Sequence, residues 1–285
     1  MIFQREELLG THIALVFPDD LVFPSLAENA FAEAERIERL YSRFLEHNEL
    51  SRINKRLRQW TSVSSEFFQL LKFGKQLEEE THGAFSLSVK SILESWGYNA
   101  RYELFQEKGE GNSGVFELDE ETMSVFLTAP VEMGAFGKGY ALDAMAKVLE
   151  DIPDFFLNAG GDILAKGSNG DVPWEVFFEH PFEDMKSIGK VEMQFGALAA
   201  SSPKRRKWRN RHHLVHAGRK KPAEEMAATY VQNVSACVAD GYATALFVMG
   251  YENAKTFAIE KNIPAFLVSA QGDIFVHPLF EGSFF

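Results

Sequence analysis

The sequence is poor in the features that mark secreted and membrane proteins. Cys237 is the single cysteine among 285 residues, which excludes an internal disulfide, and its apolar neighbours indicate a small buried side chain. No apolar run approaches the roughly 20 residues that a membrane-spanning helix needs. Residues 1 to 16 show no basic segment, apolar stretch and small-residue cleavage site, so we expect no secretory signal and a cytoplasmic protein.

Positive charge is also scarce. The chain has 29 Lys and Arg against 41 Asp and Glu, and its formal net charge of −12 argues against a general nucleic-acid-binding protein. One local exception is the run K-R-R-K-W-R-N-R at residues 204 to 211. Such a run is typical of a solvated hairpin, or of a surface for single-stranded nucleic acid or an acidic partner. Its place directly before His213 favours a ligand or acceptor surface, and we expect no nucleic-acid partner.

Apolar residues make up 46% of the chain and include 26 Phe, enough for a large core in one two-lobed domain over residues 1 to 285, or in two tightly merged halves. Three- and four-residue apolar spacing predicts a helix over residues 25 to 46, and Ser64 or Ser65 is placed to cap a second one. Residues 107 to 114 read as a surface turn, and residues 264 to 269 and 273 to 277 as a closing strand pair. The pattern indicates an α+β fold with mixed or antiparallel sheets and packed helices.

The segment V-E-M-G-A-F-G-K-G-Y-A-L-D, residues 131 to 143, is a glycine-rich turn that opens onto a helix. Glycines at 134, 137 and 139 would let backbone N–H groups approach an anion, and Lys138 adds a positive charge near a helix N-terminus. The pattern therefore favours a site for a phosphate-bearing ligand. An ordinary strand-to-helix turn with a solvated lysine is the alternative.

Two further segments bear on that hypothesis. Asp240 and Thr244 are spaced i and i+4 on one predicted helix, and their carboxylate and hydroxyl oxygens suit Mg²⁺. The alternative is that Asp240 is only a helix N-cap. In F-F-L-N-A-G-G-D-I-L-A-K-G, residues 155 to 167, the paired glycines indicate a bulge or a close backbone approach between two strands.

Taken in order, these segments resemble the motifs of the ApbE family of FAD:protein FMN transferases, D-L-G-G-I-A-K-G-Y-A-x-D, N-x-G-G-D and A-D-A-L-A-T. The resemblance covers roughly residues 9 to 280. It includes Leu9-Gly10-Thr11 for the family's M-G-T and residues 48 to 54 for its S-E-L-S-x-x-N. It also includes T-H-G-A-F at residues 81 to 85 with Trp96-Gly97, and later Pro173-Trp174 and His180-Pro181.

The resemblance implies an ApbE-like fold and the transfer of FMN from FAD to a threonine hydroxyl of an acceptor protein, with release of AMP. It implies Mg²⁺ held by the Ala135 carbonyl oxygen, Asp240 and Thr244, where the metal would stabilise charge on the pyrophosphate as a Lewis acid. His213 would be the general base that accepts the hydroxyl proton. The residues implied to contact FAD are Leu9, Phe44, Ala84, Phe85, Ser86, Glu132, Lys138 and Leu214.

The chain departs from the family pattern mainly at residues 212 to 222, where H-x-I-D-P-x-T-G-x-P is replaced by H-L-V-H-A-G-R-K-K-P from His213 onward. This loss of turn residues predicts that the loop positioning His213 has changed. Glu132 and Ser86 replace aspartates, and Ser202 replaces a glycine. Two other functions therefore stay open: a catalytically weakened FAD-binding carrier or regulatory module, and an FAD pyrophosphatase with water as the nucleophile.

Overall fold

The structure, a computed structural model, describes residues 1–18, 23–98, 111–204, 206–208 and 211–285. The described chain divides into two compact units. Unit one comprises Met1–Glu38, Phe136–Ser202 and Glu225–Phe285, and unit two comprises Arg39–Ala135 and Pro203–Glu224. The single domain expected over residues 1 to 285 stays a prediction.

The helices in the described ranges are α1 (Pro24–Tyr41), α2 (Glu49–Asn54), α3 (Ser65–Glu80), α4 (Lys90–Ser95), α5 (Gly137–Val148), α6 (Ala236–Met249) and α7 (Tyr251–Glu260). Helix α1 ends before Phe44, whereas its apolar spacing predicted an end at residue 46. The chain needs residues 42 to 48 to turn, and Asn48 then caps α2 by accepting a hydrogen bond from the Ser51 amide. Ser64 caps α3 as predicted.

Unit one is built on an eight-stranded antiparallel sheet. Its strands, in spatial order, are β1 (Ile2–Leu8), β2 (Thr11–Val16), β6 (Phe155–Ala159), β7 (Asp162–Lys166), β10 (Phe195–Ser201), β15 (Met226–Asn233), β16 (Ala265–Ser269) and β17 (Ile274–Val276). The last two strands confirm the predicted closing pair, which turns at Gly272 with a φ of 94°. Helix α6 packs on β10 and β15 and is buried on most of its surface, which explains its nearly continuous apolar sequence.

A second sheet of unit one has the spatial order β18 (Ser283–Phe284), β9 (Ser187–Met193) and β8 (Trp174–Glu179). Alternate residues of β8 are buried, so one face of this sheet is apolar. Phe178 on that face contacts the rings of Tyr230, Phe266 and Phe280 at centroid distances of 5.2 to 5.9 Å. Phenylalanine thus fills the core between the two sheets.

Unit two contains α2 to α4 and three small antiparallel sheets. Their strands are β3 (Thr61–Ser62), β4 (Phe116–Asp119) and β5 (Ser124–Leu127), then the hairpins β11 (Lys207–Trp208) with β12 (Arg211–His212), and β13 (Val215–His216) with β14 (Lys221–Pro222). Residues 107 to 110 of the predicted surface turn at 107 to 114 lie outside the described residues. The α+β fold with antiparallel sheets is confirmed.

No helix in the described part of the chain is long and apolar enough to cross a membrane.

Candidate active site

Lys138 stands at the centre of a buried charge cluster in unit one. It lies in the first turn of α5, and its Nζ forms an ion pair with Asp162 and another with Asp240, whose Oδ2 is 3.2 Å away. The two carboxylate side chains are only 2% and 3% exposed, and the lysine side chain is 18% exposed. A solvated lysine, the alternative that the sequence left open, is therefore wrong.

Asp162 is the first residue of β7 and follows a two-residue turn from β6. Gly160 and Gly161 have φ values of 63° and 107°, which glycine adopts without strain. The paired glycines thus form a tight hairpin turn rather than a bulge. The close backbone approach, the other predicted alternative, is confirmed at Gly160, where a Cβ would lie 2.2 Å from Thr11 Oγ1. The turn directs the Asp162 carboxylate inward, where Oδ1 also accepts a hydrogen bond from the Ala200 amide at 3.2 Å.

Asp240 lies inside α6, not at its start. The N-cap of α6 is Ser235, whose hydroxyl accepts from the Val238 amide, so the N-cap alternative for Asp240 is wrong. Its Oδ2 accepts a hydrogen bond from the Gly139 amide at 3.1 Å. Burial and the negative charge of Asp162 raise the pKa of Asp240, Lys138 opposes them, and the net pKa is about 7.

Thr244 follows Asp240 by one helical turn, as the i, i+4 spacing predicted. Its Oγ1 lies 3.2 Å from the hydroxyl oxygen of Ser201, the last residue of β10. Two carboxylates thus pair with the Lys138 ammonium, and a pair of hydroxyls lies one helical turn beyond Asp240. Asp162 and Ser201 were not among the site residues that we predicted, although Asp162 ends the N-x-G-G-D motif.

Asp143 joins the two helices that carry these groups. From α5, its carboxylate accepts hydrogen bonds from the Ser235 hydroxyl at 2.6 Å and from the Ala236 and Cys237 amides at 2.8 and 3.0 Å. A carboxylate at a helix N-terminus satisfies unpaired amides and interacts favourably with the helix dipole. Asp143 therefore sets the position of α6, and with it Asp240, relative to α5. Cys237 is buried, as predicted.

The three glycines of the 131 to 143 segment have different environments. A Cβ on Gly139 would lie 2.2 Å from the Ala236 carbonyl oxygen, so this glycine permits the close approach of α5 to α6. The Gly139 amide donates to Asp240, so the prediction that this amide approaches a bound anion is wrong at this position. The Gly134 amide donates to Glu132 Oε2 at 2.9 Å within unit two, and a Cβ on Gly137 would meet open space.

The cluster has an oxygen-only set of donors, and two buried carboxyl groups share one ammonium, so the cluster carries an excess of negative charge whenever Asp240 is deprotonated. Mg²⁺ prefers carboxylate and hydroxyl oxygens and retains several waters. The residues of the cluster therefore fit this ion. No group of three or more His, Cys, Asp or Glu side chains arranged to hold a metal occurs among the described residues. Ala135, the third predicted ligand, ends the Arg39–Ala135 segment of unit two and directly precedes Phe136, the N-cap of α5.

The predicted FAD-contacting residues lie in both units. In unit one, Leu9 stands in the β1–β2 turn with a φ of 56°, and its amide donates to Glu38. In unit two, the Phe44 ring is exposed, whereas Ala84, Phe85, Ser86, Glu132 and Leu214 are buried. The Ala84 carbonyl accepts from the Ala217 amide, and the Ser86 hydroxyl donates to Glu78. Their contacts with a ligand stay predictions.

Two adjacent histidines in unit two differ in environment. His212 is buried, its Nδ1 accepts from the Leu214 amide at 3.3 Å, and burial lowers its pKa to about 4. A histidine with so low a pKa is a poor proton acceptor near neutral pH. His213, the predicted base, is only half-buried.

The altered 212 to 222 segment still forms an ordered turn. Strands β13 and β14 pair, the Lys220 amide donates to the His216 carbonyl oxygen at 2.9 Å, and Lys220 has a φ of 52°. His216 Nδ1 also accepts from the Arg219 amide. These bonds form a turn without the family's proline and threonine, and the change in the loop relative to the family stays a prediction.

The basic run over residues 204 to 211 forms the β11–β12 hairpin in its described part. Trp208 is 7% exposed, stacks on Tyr98 at 5.0 Å, and donates from Nε1 to the Trp96 carbonyl oxygen. A tryptophan packed in this way offers no free face to a nucleic-acid base. The hairpin interpretation is therefore supported over the nucleic-acid one.

Comparison with known proteins agrees with this geometry. The model of the ApbE family matches residues 9–267, which include Lys138, Asp162, Asp240 and Thr244. The chain belongs to the ApbE family.

Curated ApbE relatives cover most of the chain. The FAD:protein FMN transferase of Vibrio cholerae is 28% identical over 88% of this chain and 83% of its own length. That of Klebsiella pneumoniae is 22% identical over 94% of this chain and 84% of its own length.

Solved structures of the family support the fold. The ApbE protein of Thermotoga maritima has a TM-score of 0.87 at 24% identity, covering 99% of both chains. The flavin transferase ApbE from Vibrio cholerae has a TM-score of 0.80 at 22% identity, covering 98% of both chains. The predicted ApbE-like fold is confirmed.

The close approach of α5 to α6 in this ApbE protein predicts that two glycine-to-alanine substitutions in α5 change the stability by different amounts. Gly139→Ala should lower the free energy of unfolding by about 1–3 kcal/mol, because its Cβ would overlap the Ala236 carbonyl oxygen. Gly137→Ala is the matched control and should change it by less than about 0.5 kcal/mol, since that Cβ meets no neighbour. Denaturant unfolding of both variants measures the difference, and equal stabilities would contradict the close packing.

Proposed function

We propose that the protein transfers FMN from FAD to a threonine hydroxyl of an acceptor protein and releases AMP, in a reaction that depends on Mg²⁺. The observation that carries this proposal is the buried cluster of Lys138, Asp162 and Asp240 beside the hydroxyls of Thr244 and Ser201. The names of the curated ApbE relatives support a flavin-transfer activity.

Asp240 and Thr244 would hold the metal, with the Ala135 carbonyl oxygen as a further predicted ligand. Bound there, Mg²⁺ would act as a Lewis acid that stabilises negative charge on the FAD pyrophosphate. With Asp240 deprotonated, two buried carboxylates face one ammonium, and this supports a cation at this position because an uncompensated buried charge is costly. Asp162 positions Lys138 by the ion pair, and Lys138 is partly exposed, as a group that contacts a phosphate must be.

The chemical step replaces the phosphoanhydride bond of FAD by a phosphoester bond to the acceptor threonine. The threonine Oγ attacks the phosphorus of the FMN moiety, the bond from that phosphorus to the AMP oxygen breaks, and AMP leaves with that oxygen. His213 accepts the proton of the threonine hydroxyl. His212 is unsuited to that role, because its pKa of about 4 makes it a weak base and its Nδ1 already accepts a hydrogen bond from the Leu214 amide.

The assignment of Asp240 as a metal ligand predicts that the Asp240→Asn variant no longer responds to Mg²⁺. Mg²⁺ should raise the melting temperature of the wild-type protein and strengthen FAD binding, because the cation compensates the buried carboxylates. Asparagine has nearly the same shape but no charge, so the variant should fold and lose both effects. Thermal unfolding and FAD titration, each with and without Mg²⁺, measure this.

The control for that experiment is Asp151→Asn, which removes one exposed carboxylate from the same unit and should keep both responses to Mg²⁺. If Asp240→Asn responds to Mg²⁺ as the wild-type protein does, the metal is not held by Asp240.

The base assignment predicts that His213→Gln lowers the transfer rate by about 10²- to 10⁴-fold and leaves the FAD dissociation constant unchanged. The matched control is His47→Asn, which removes an exposed histidine of unit two, where a φ of 65° suits asparagine. Single-turnover transfer rates and FAD titrations separate the two effects. A His213→Gln rate within a few-fold of wild type would exclude His213 as the base.

A further inference from the structure

Arg43 of unit two has a guanidinium whose terminal donors are buried and not used. It lies in the segment between α1 and α2, and both terminal nitrogens of its guanidinium are shielded from solvent. Neither nitrogen has a hydrogen-bond acceptor in the described part of the chain. Because arginine stays protonated and buried donors are nearly always satisfied, such a group calls for a missing partner.

Aromatic rings hold the guanidinium in place. Its central carbon lies 4.6 Å from the ring centroid of Phe44 and 4.4 Å from that of Tyr98. Tyr98 in turn stacks on Trp208, with the ring planes 13° apart. Cation–π contacts of this kind stabilise the charge and orient the group. They do not use the N–H donors in the plane of the guanidinium, so these donors still lack an acceptor among the described residues. Because both nitrogens are shielded from solvent, a ligand reaches them only when the side chains around them shift.

The chemistry of the missing partner follows from these contacts. A guanidinium presents parallel N–H donors that match acceptor oxygens at the edge of a planar group. Phe44, which is 41% exposed, adds an aromatic face beside those donors. A flat heteroaromatic ring with carbonyl oxygens along one edge meets both requirements. A phosphate would use the donors but gain nothing from the exposed ring.

We propose that Arg43 binds the carbonyl edge of the flavin ring of FAD and thereby selects the flavin half of the substrate. This inference rests on the proposed function for the identity of the ligand. The assignment to Arg43 itself comes from its unused donors and from the two rings that hold it.

The test uses two fragments of FAD as probes on the full chain. Riboflavin contains the flavin ring without a phosphate, and AMP contains a phosphate without the flavin ring. Arg43→Gln should weaken riboflavin about 10- to 100-fold, the loss expected for hydrogen bonds to a charged group, and leave AMP unchanged. Arg52→Gln is the matched control, because it removes an arginine that pairs with Glu49 at the surface of the same unit, and its riboflavin affinity should stay at the wild-type value.

Arg43→Lys keeps the charge but offers a single nitrogen, so its riboflavin affinity should also fall below that of wild type. This variant decides the question if the glutamine variant does not fold. A second readout is the proton dissociation of N3 in the bound flavin ring, followed by its visible spectrum. The Arg43 charge favours the deprotonated ring, so the pKa of this N3–H should rise in Arg43→Gln relative to wild type.

Unchanged riboflavin affinity in folded Arg43 variants would overturn the proposal, and so would a loss confined to AMP. The transfer assay on the wild-type protein keeps this result separate from the proposed function. Transfer that proceeds without dependence on Arg43 would refute only the role of Arg43. Arg43-dependent riboflavin binding without any transfer would refute only the transferase function.

Discussion

The candidate site depends on one electrostatic constraint: two almost fully buried carboxylates share a single ammonium. Asp162 and Asp240 both pair with Lys138, and burial makes each uncompensated charge costly. The surrounding unit is arranged to hold these three groups together. A hairpin turn places Asp162, helix α6 places Asp240, and the first turn of α5 places Lys138. Asp143 and Gly139 then bring α5 and α6 close together.

This constraint also explains how an acidic chain would bind an anionic substrate. With a net charge of −12, the protein has no long-range attraction for FAD, so recognition must come from local groups. In unit one, an oxygen cluster with excess negative charge suits a divalent cation, which would in turn attract phosphate. In unit two, Arg43 is held by aromatic rings with its terminal donors unused. The two features carry opposite charges, the first suited to a divalent cation and the second to hydrogen-bond acceptor oxygens.

Periodicity and motif order predicted the parts of the site that are local in sequence. Asp240 and Thr244 lie one turn apart on one helix, as their spacing predicted, and Lys138 lies in the first turn of a helix, as the glycine run indicated. The contacts that cross the chain were not predictable from such patterns. The ion pair between Lys138 and Asp162 requires the β6–β7 hairpin, and the packing of Gly139 on Ala236 requires α6. The turn at residues 216 to 220 depends on a hydrogen bond from the Arg219 amide to a ring nitrogen of His216 and on a left-handed backbone conformation at Lys220. Neither is indicated by the usual turn residues.

The most direct test of the account is to incubate the protein with FAD, Mg²⁺ and an acceptor domain of the kind that ApbE transferases modify. Flavin fluorescence on the denatured acceptor and the release of AMP are then measured together. The account predicts equal amounts of labelled acceptor and AMP, and loss of both when EDTA is added or the acceptor threonine is replaced by alanine. AMP release without labelled acceptor, or bound FAD without either product, would contradict it.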